Sequence, residues 1–455
     1  MSRPRSAGSI FWGLLLIGVG MIFLLKNLGY EIPVWTGVAR YWPVLLILWG
    51  VIKLFDYARW KRAGEPGPLF GAGEVVLLII ITLSGTALTA ASNMSPDFTS
   101  LFEVAGIDIA EITGKDYQFS EHYEKDVPSG SSIEIINRYG SVEVTASDED
   151  RITVDVAKTV IAADEKQAEE LSKVLVYSIV EESNRYRIIS NYNRDQNRLR
   201  GRRLKTSLTV RVPKKSSVSI NNRYGAVEVT DLIGDQQVDN GFGATMLSRI
   251  SGAIDIKSRN DRVVVEDITG ATTISSEFGN IEARRVAGKL DLKHRNGNIE
   301  IEAIKGDTNV KNEFGSISAK DIQGSLAIDA RMTSVEATHV ENNVSVENEF
   351  QYVKLEDVKG AVSVENKNGN VEIRYGEPPR NNIRVTNRFG EVKLILPSSA
   401  AFSIDARTRF ASVSTDFEEL NRRDDPERNS LTGQAGSGGP EIRIDNQNGN
   451  IYVLK

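Results

Sequence analysis

Aliphatic residues return along the second half of the chain at a fixed step. Counting by 18 from Val227 gives Thr245, Val263, Ile281, Ile299, Ile317, Val335, Val353 and Val371. Two places further on stand Val229, Leu247, Val265, Ala283, Ile301, Ala319, Ala337, Leu355 and Ile373. Residues i and i+2 share one side of a strand, so each pair predicts a short strand with one buried face. A second pair follows in each unit, as in Ile254 with Ile256, Leu290 with Leu292 and Val362 with Val364. Between the two pairs sits one more aliphatic: Leu232, Ile250, Ile268, Val286, Ile304, Ile322, Val340 or Val358. Gly234, Gly252, Gly270, Gly288, Gly306, Gly324 and Gly360 keep the same step, with Asn342 in the one missing place. A repeat near 20 residues means a solenoid, in which each turn buries its apolar face only against its neighbours.

The same alternation would suit antiparallel hairpins in a meander, and charge separates the two. The series Arg259, Glu277, Arg295, Glu313, Arg331, Glu349, Lys367 switches sign at every step, as does Asp231, Arg249, Asp267, Arg285. Stacked at the spacing of neighbouring strands, like charges would repel and alternating ones pair, each exposed pair contributing about 0.2 to 1 kcal/mol. The pattern predicts parallel, in-register coils of about 18 residues with two short strands per coil.

One corner of each coil reads Phe242, Asn260, Phe278, Asn296, Phe314, Met332, Phe350 and Asn368, with glycine following at 243, 279, 297, 315 and 369. Glycine admits the positive φ of a tight corner and Asn tolerates it. Two places before the corner, Asn240, Ser258, Ser276, His294, Asn312, Ala330, Asn348 and Asn366 could form a side-chain hydrogen-bond ladder. For the Phe series a row of aromatics for glycan stacking stands against corner packing of the core, and packing is the expectation.

The repeat loosens at both ends. Asn137-Arg138-Tyr139-Gly140-Ser141-Val142-Glu143-Val144 and Asn222-Arg223-Tyr224-Gly225-Ala226-Val227-Glu228-Val229 are near copies, and between them 162–176 predicts one helix. That helix and the strands near Tyr186–Ser190 and Ser207–Val212 form an N-terminal cap over the first open coil, spanning 117–220, with the solenoid at 221–455. Towards the other end the step widens to 21, a polar Gly/Ser-rich stretch at about 424–440 reads as a flexible loop, and Asn446–Val453 predicts one more coil.

Composition changes completely before residue 95. Apolar runs at about 10–25, 41–55 and 75–91 predict three transmembrane helices within a membrane domain of 1–94, followed by a linker at 95–116. Trp12, Trp35, Tyr41, Trp42 and Trp60 lie at or near their ends, where interfacial aromatics belong. A cleaved signal peptide is the alternative for the first run, and it lacks a small-x-small cleavage site. Arg3 and Arg5 before the first run, and Arg59, Lys61 and Arg62 after the second, place the N-terminus in the cytoplasm and the solenoid outside the inner membrane. The chain has no cysteine, so neither disulfides nor thiolate metal sites hold it together.

These segments resemble known families. Gly18–Gly29 followed by Tyr41-Trp42-Pro43-Val44-Leu45-Leu46-Ile47-Leu48-Trp49-Gly50 looks like the LiaI/LiaF-like transmembrane region of bacterial envelope-stress proteins. From about Tyr117 to Lys455, the Asn-x-aromatic-Gly-x-Val-x-Val corners are similar to the bacterial putative-adhesin β-solenoid family of unknown function. The first resemblance implies a link to envelope stress, and the second implies the fold. Neither supplies a catalytic residue.

Chemistry beyond binding finds little support. Asp and Glu recur in ladders opposed by Arg rather than in a cleft, and there is no phosphate loop, metal-ligand cluster or nucleophile elbow. The expectation is no enzyme, no cofactor and no metal. His122, His294 and His339 are assigned surface or turn roles. The formal charge is −6, with basic and acidic residues interleaved, which argues against nucleic acid. The basic run Arg198–Lys205 could touch anionic headgroups or an acidic cell-wall polymer, but reads more simply as a solvated loop. The reading preferred is a membrane-anchored binding or adhesin-like surface at the cell envelope, with the bilayer and a cell-wall polymer or envelope protein as partners. The alternatives are an envelope-stress regulator acting on a membrane signalling protein through its spans, and a self-assembling scaffold.

Overall fold

The computed structural model describes residues 115–182, 185–191, 204–423 and 429–455. The three expected spans, nearly all of the linker and most of the Arg198–Lys205 run lie outside the described residues. Among the described residues, no helix is long and apolar enough to cross a membrane.

The chain winds into a parallel β-solenoid of about ten turns, with about 18 residues per turn. Two strand columns form each coil. Ile254–Asn260 lies between Gln236–Phe242 and Thr272–Phe278 in one column. Val263–Ile268 lies between Thr245–Ile250 and Ile281–Val286 in the other. All four pairings are parallel and in register, so each residue faces its counterpart one coil away. The aliphatic pairs and the single aliphatic between them point inward and form one continuous core. In three central coils the two strands fuse into single 15-residue strands, Leu290–Ile304, Thr308–Ile322 and Leu326–Val340. They fuse because the corner residues are themselves in register, Gly297 with Gly315 and Gly315 with Thr333, so the ladder runs through the corner.

The charge columns behave as their alternation requires. Arg249 and Arg285 meet Asp231 and Asp267 at 2.6 and 2.7 Å, and Lys367 meets Glu349 at 2.6 Å. All are exposed, so they set register and discourage mispairing more than they add stability. The glycine column has a different cause from the corner glycines. A Cβ on Gly252, Gly270, Gly288, Gly306 or Gly324 would lie 2.1 to 2.3 Å from the carbonyl oxygen of the residue one coil earlier. The backbones pass closely enough there that a Cβ in glycine's place would clash, and Asn342 is the one exception in the column.

A feature absent from the pattern reading is a left-handed residue in eight successive coils: Asp231, Arg249, Asp267, Arg285, Ala303, Asp321, His339 and Asp357 have φ between 52° and 64°. Each costs roughly 1 to 3 kcal/mol for a non-glycine residue. The reversal lets two consecutive side chains face out, so that Val265 and Ile268, three apart, both face in. This geometry explains the lone aliphatic between the pairs.

The inward polar column forms a ladder only in part. Asn137 donates to Asn222 Oδ1 at 3.1 Å and Asn222 to Asn240 Oδ1 at 3.3 Å. Further along, Asn366, Asn387 and Asn446 instead donate to the carbonyls of Gly369, Gly390 and Gly449, each three residues ahead. Corner carbonyls buried away from water need a donor, and Asn supplies it. His294 takes this place in one coil; it is a buried residue rather than a surface one, with Nδ1 3.2 Å from Ser276 O. Burial holds its pKa below the usual histidine value.

Both ends are closed by strands drawn from distant sequence. At the N-terminal end, Arg185–Ser190 and Leu204–Pro213 stack on the coil made by Ser132–Tyr139 and Val142–Ser147. Antiparallel strands Tyr177–Glu182, Arg151–Ala162 and Lys115–Asp126 continue outward. The one α-helix among the described residues, Glu165–Ser172, is shorter than the 162–176 expected. Asp164 caps it by accepting from Gln167 N at 2.9 Å, and Lys158 stops its far end. That lysine is fully buried and donates to Glu121 (2.5 Å) and to the carbonyls of Ser172 (2.9 Å) and Leu175 (2.5 Å), which uses all three of its hydrogens.

At the other end the expected final coil is not the last in the stack. Glu441–Asn448 pairs with Ile383–Phe389 on one side and Phe402–Thr408 on the other. It is thus threaded between two coils that precede it in sequence. Part of the stretch expected as a loop at 424–440 is a strand, Asn429–Ala435, antiparallel to Phe402–Thr408.

Two predictions follow from the columns. Gly288→Ala places a methyl against Gly270 O and should cost about 1 to 3 kcal/mol, read from the urea midpoint of the full chain. His294 is protonated more readily when unfolded, so its neutral burial stabilises fully above about pH 6.5 and progressively less below. The ladder-like His294→Asn variant should therefore lose less stability than the parent between pH 7.5 and 5.5, and an equal loss in both would refute this.

Candidate functional site: an exposed aromatic corner

The corner aromatics face outward. Phe242, Phe278, Phe314 and Phe350 are 38 to 42% exposed, Met332 is 41% and Phe389 is 45%. This overturns the expectation that they pack the core. The reason lies two residues earlier, where the inward position at the corner is taken by Asn240, Asn312, Asn348 and Asn387, and by Ser276 before Phe278. Asn348, for example, donates to Thr333 O at 3.1 Å and Phe350 O at 2.8 Å. An aromatic ring inside would leave those carbonyls buried and unpaired, at a cost of roughly 1 to 3 kcal/mol each. Polar satisfaction takes the interior, and the rings go out.

Register sets their spacing. In the first coils the rings stack on one another, Tyr139 on Tyr224 at 5.2 Å and Tyr224 on Phe242 at 5.1 Å, with interplanar angles of 7° and 14°. Beyond Phe242 an aromatic comes every second coil, with Asn260, Asn296 and Asn368 or Met332 between. Two coil spacings amount to about 9.6 Å. Guanidinium groups sit over several rings, Arg138 over Tyr139, Arg223 over Tyr224 and Arg388 over Phe389, at 5.5 to 5.8 Å from the centroid. Alongside runs the column of opposite charges, where Arg259 meets Glu277 and Arg295 meets Glu313, each at 3.6 Å. The result is a narrow, straight strip of rings with amide groups between them, bordered by charges that cancel. Such a strip can stack against apolar faces of an extended ligand while the amides hydrogen-bond between contacts.

Other sequence candidates disperse. His122 lies on the N-terminal edge strand, exposed, with Asp155 at 2.6 Å and Glu124 at 2.9 Å, and both raise its pKa. His339 belongs to the left-handed column, 3.2 Å from Asp321. Charge alternation fails in one column, where Asp329, Glu347 and Glu365 are consecutive, although Asp329 pairs with Lys311 at 2.8 Å. Among the described residues, no group of three or more His, Cys, Asp or Glu is arranged to hold a metal ion.

Comparison with known proteins divides the chain as its composition does. Residues 289–454 match the Toastrack DUF4097 family and residues 11–107 match the LiaF transmembrane domain. Both resemblances read from the sequence are therefore shown, and the repeat continues in the same register before residue 289. No curated protein matches the chain. Among solved structures, it is similar to a "putative cell adhesion protein" from Clostridium sporogenes, at 8% identity over 74% of this chain and 99% of that one, with a TM-score of 0.17. It is also similar to a "putative adhesin" from Bacteroides fragilis, at 15% identity over 56% and 97%, with a TM-score of 0.26. A "putative lipid binding protein" from Parabacteroides distasonis shares 13% identity over 74% and 97%, with a TM-score of 0.21.

Outward rings should be dispensable for folding. The triple variant Phe278→Ser, Phe314→Ser, Phe350→Ser should shift the urea midpoint by less than about 1 kcal/mol per site, whereas buried rings would cost about 3 to 5 each.

Proposed function

We propose that the protein is a non-enzymatic binding or adhesin-like surface of the bacterial cell envelope. The solenoid is held at the outer side of the inner membrane by three helices at about 10–25, 41–55 and 75–91, with the N-terminus in the cytoplasm. The exposed aromatic corner carries this reading. A straight strip with a ring every second coil suits an extended, repeating ligand, which at the envelope means a cell-wall polymer, better than a globular partner. Absence of a carboxylate cleft in the sequence pattern supports binding without catalysis.

A second reading rests on the match of residues 11–107 to the LiaF transmembrane domain. In it the membrane segment acts on a signalling protein and the solenoid reports the state of the envelope. The two are separable and compatible, since a wall-bound solenoid is a natural sensor of wall damage.

The test uses the full-length chain with a tag after Lys455. Protease added to intact cells and then to spheroplasts should remove the tag without breaching the inner membrane. Cell walls isolated from the same bacterium should retain the parent protein and release the triple Phe→Ser variant, with at least a tenfold drop in retention. A protected tag would reverse the topology, and equal retention of both proteins would remove the aromatic corner from binding.

A further inference from the structure

The ring interval survives where the repeat itself fails. By sequence Phe389 and Phe410 belong to consecutive coils, 21 residues apart. In the fold the strand Glu441–Asn448 is inserted between them: Asn448 pairs with Phe389, and Asn446 pairs with Thr408, two residues before Phe410. Phe410 N donates to Gln447 O at 3.3 Å, and Phe410 is 69% exposed. An amide thus stands between these two rings, as Asn260, Asn296 and Asn368 do between earlier ones. Phe242, Phe278, Phe314, Phe350, Phe389 and Phe410 form one file with a ring at every second coil. From first ring to last it covers ten coil spacings, about 48 Å.

Exposed, uncharged donors line one side of the file. Two places past the corner, Asn280 accepts from Asn298 N at 3.1 Å, Asn298 from Ser316 Oγ at 2.8 Å and Asn370 from Glu391 N at 2.9 Å, each through Oδ1. With their carbonyl ends engaged, these exposed amides keep Nδ2 groups that have no hydrogen-bond partner among the described residues. On the other side the charges switch sign at each coil, and Glu349 is held by Arg331 at 3.4 Å and by Lys367 at 2.6 Å. Beyond them Asp329, Glu347 and Glu365 stand in succession. A polyanion laid along the rings would meet a carboxylate at every second coil and the acidic column behind it. A polycation would meet Arg or Lys equally often.

Resting on the reading of the aromatic corner as a wall-polymer surface, we propose that its ligand is a β-1,4-linked pyranose chain, the chemistry of a glycan strand. In such a chain each sugar is rotated by half a turn from the last and advances the chain by close to one strand spacing, about 4.8 Å. Alternate sugars therefore offer the same face, two coil spacings apart and in a straight line. Their C–H faces stack on successive rings, which supply rigid apolar area for the contact. The sugars between them, turned over, lie above Asn260, Asn296 or Asn368, and oxygens along one edge of the chain accept from the free Nδ2 groups of Asn280, Asn298 and Asn370. An α-1,4-linked chain coils, so its sugars do not return the same face along a straight file. The interval between rings, rather than any single residue, sets the specificity.

The test places the full-length chain in phosphatidylcholine nanodiscs, free of sugar detergents, and measures binding by calorimetry and saturation-transfer NMR. The probes are chito-oligosaccharides of two to six units, cellopentaose, maltopentaose and a glycerol phosphate pentamer. Three sugars reach two rings and five reach three, so affinity for the chito series should rise about threefold or more at three and again at five units, and change less than about twofold at four and six. Chitopentaose or cellopentaose should bind at least about tenfold tighter than maltopentaose. The variant Phe278→Ser, Phe314→Ser, Phe350→Ser should lose the step at five units. So should the exchange variant Asn296→Phe, Phe314→Asn, Asn368→Phe, Phe389→Asn, which keeps the number of rings and breaks their interval. A smooth rise with length in the parent protein, equal affinity for maltopentaose, or an exchange variant that binds like the parent overturns the inference, and the first two need no variant. If the glycerol phosphate pentamer binds instead and the Phe→Ser variant loses it, the wall-polymer reading stands and the glycan strand is wrong. If no probe binds and isolated walls retain the parent and the Phe→Ser variant equally, both fall.

Discussion

Every column of this solenoid depends on one constraint: residue n must sit directly beside residue n+18. In-register parallel stacking satisfies the backbone, because each strand interior bonds to the coils on both sides. It also forces each side chain against its own kind. Where the column is aliphatic, that is favourable and builds the core. A charged column gains by alternating, as through Arg249 with Asp231 and Lys367 with Glu349, although Asp329, Glu347 and Glu365 stand in succession. Where two backbones come closest, a side chain fits badly, and the glycine column, broken only by Asn342, is the result.

The corners show how polar satisfaction outranks hydrophobic burial at a few positions. Large rings normally gain most by being buried. Here the interior corner must first supply donors to carbonyls that no strand reaches, and Asn does this at little volume. The rings are left outside in a file. Charge pairs beside it keep the strip neutral and discourage misaligned contacts.

Repeats that stack in one dimension need their ends closed, since an open coil is an unpaired edge. Both ends use the same device: the penultimate coil is held between two others, and antiparallel strands cover the outer one. Charged residues on the exposed outermost strand Lys115–Asp126 further blunt that edge. The single large irregularity inside the stack, at Tyr375 and the loop that follows, therefore stands out against a structure that otherwise removes its irregularities to the ends.

Read alone, the sequence determined the solenoid, its step, its parallel sense and the partners within each charge column. These follow from a constraint that is local and repeated, so that eight or more copies of it appear in the chain. It also marked Gly243, Gly279, Gly297, Gly315 and Gly369 as positive-φ corners, as they are. Only the tertiary structure decided which way Phe242, Phe278, Phe314 and Phe350 face. The two-residue parity that sorts inside from outside holds only along an extended strand, and it ends where the chain turns the corner. Nor could periodicity order the ends, where Ile383 pairs with Ile442 and Phe402 with Ala435. Those pairings occur once each, at long separation, and leave no repeat to count. Tyr375 lay in plain view as one more residue at the expected step; that it is buried, where the eight coils before it place a left-handed residue, is seen only in the fold.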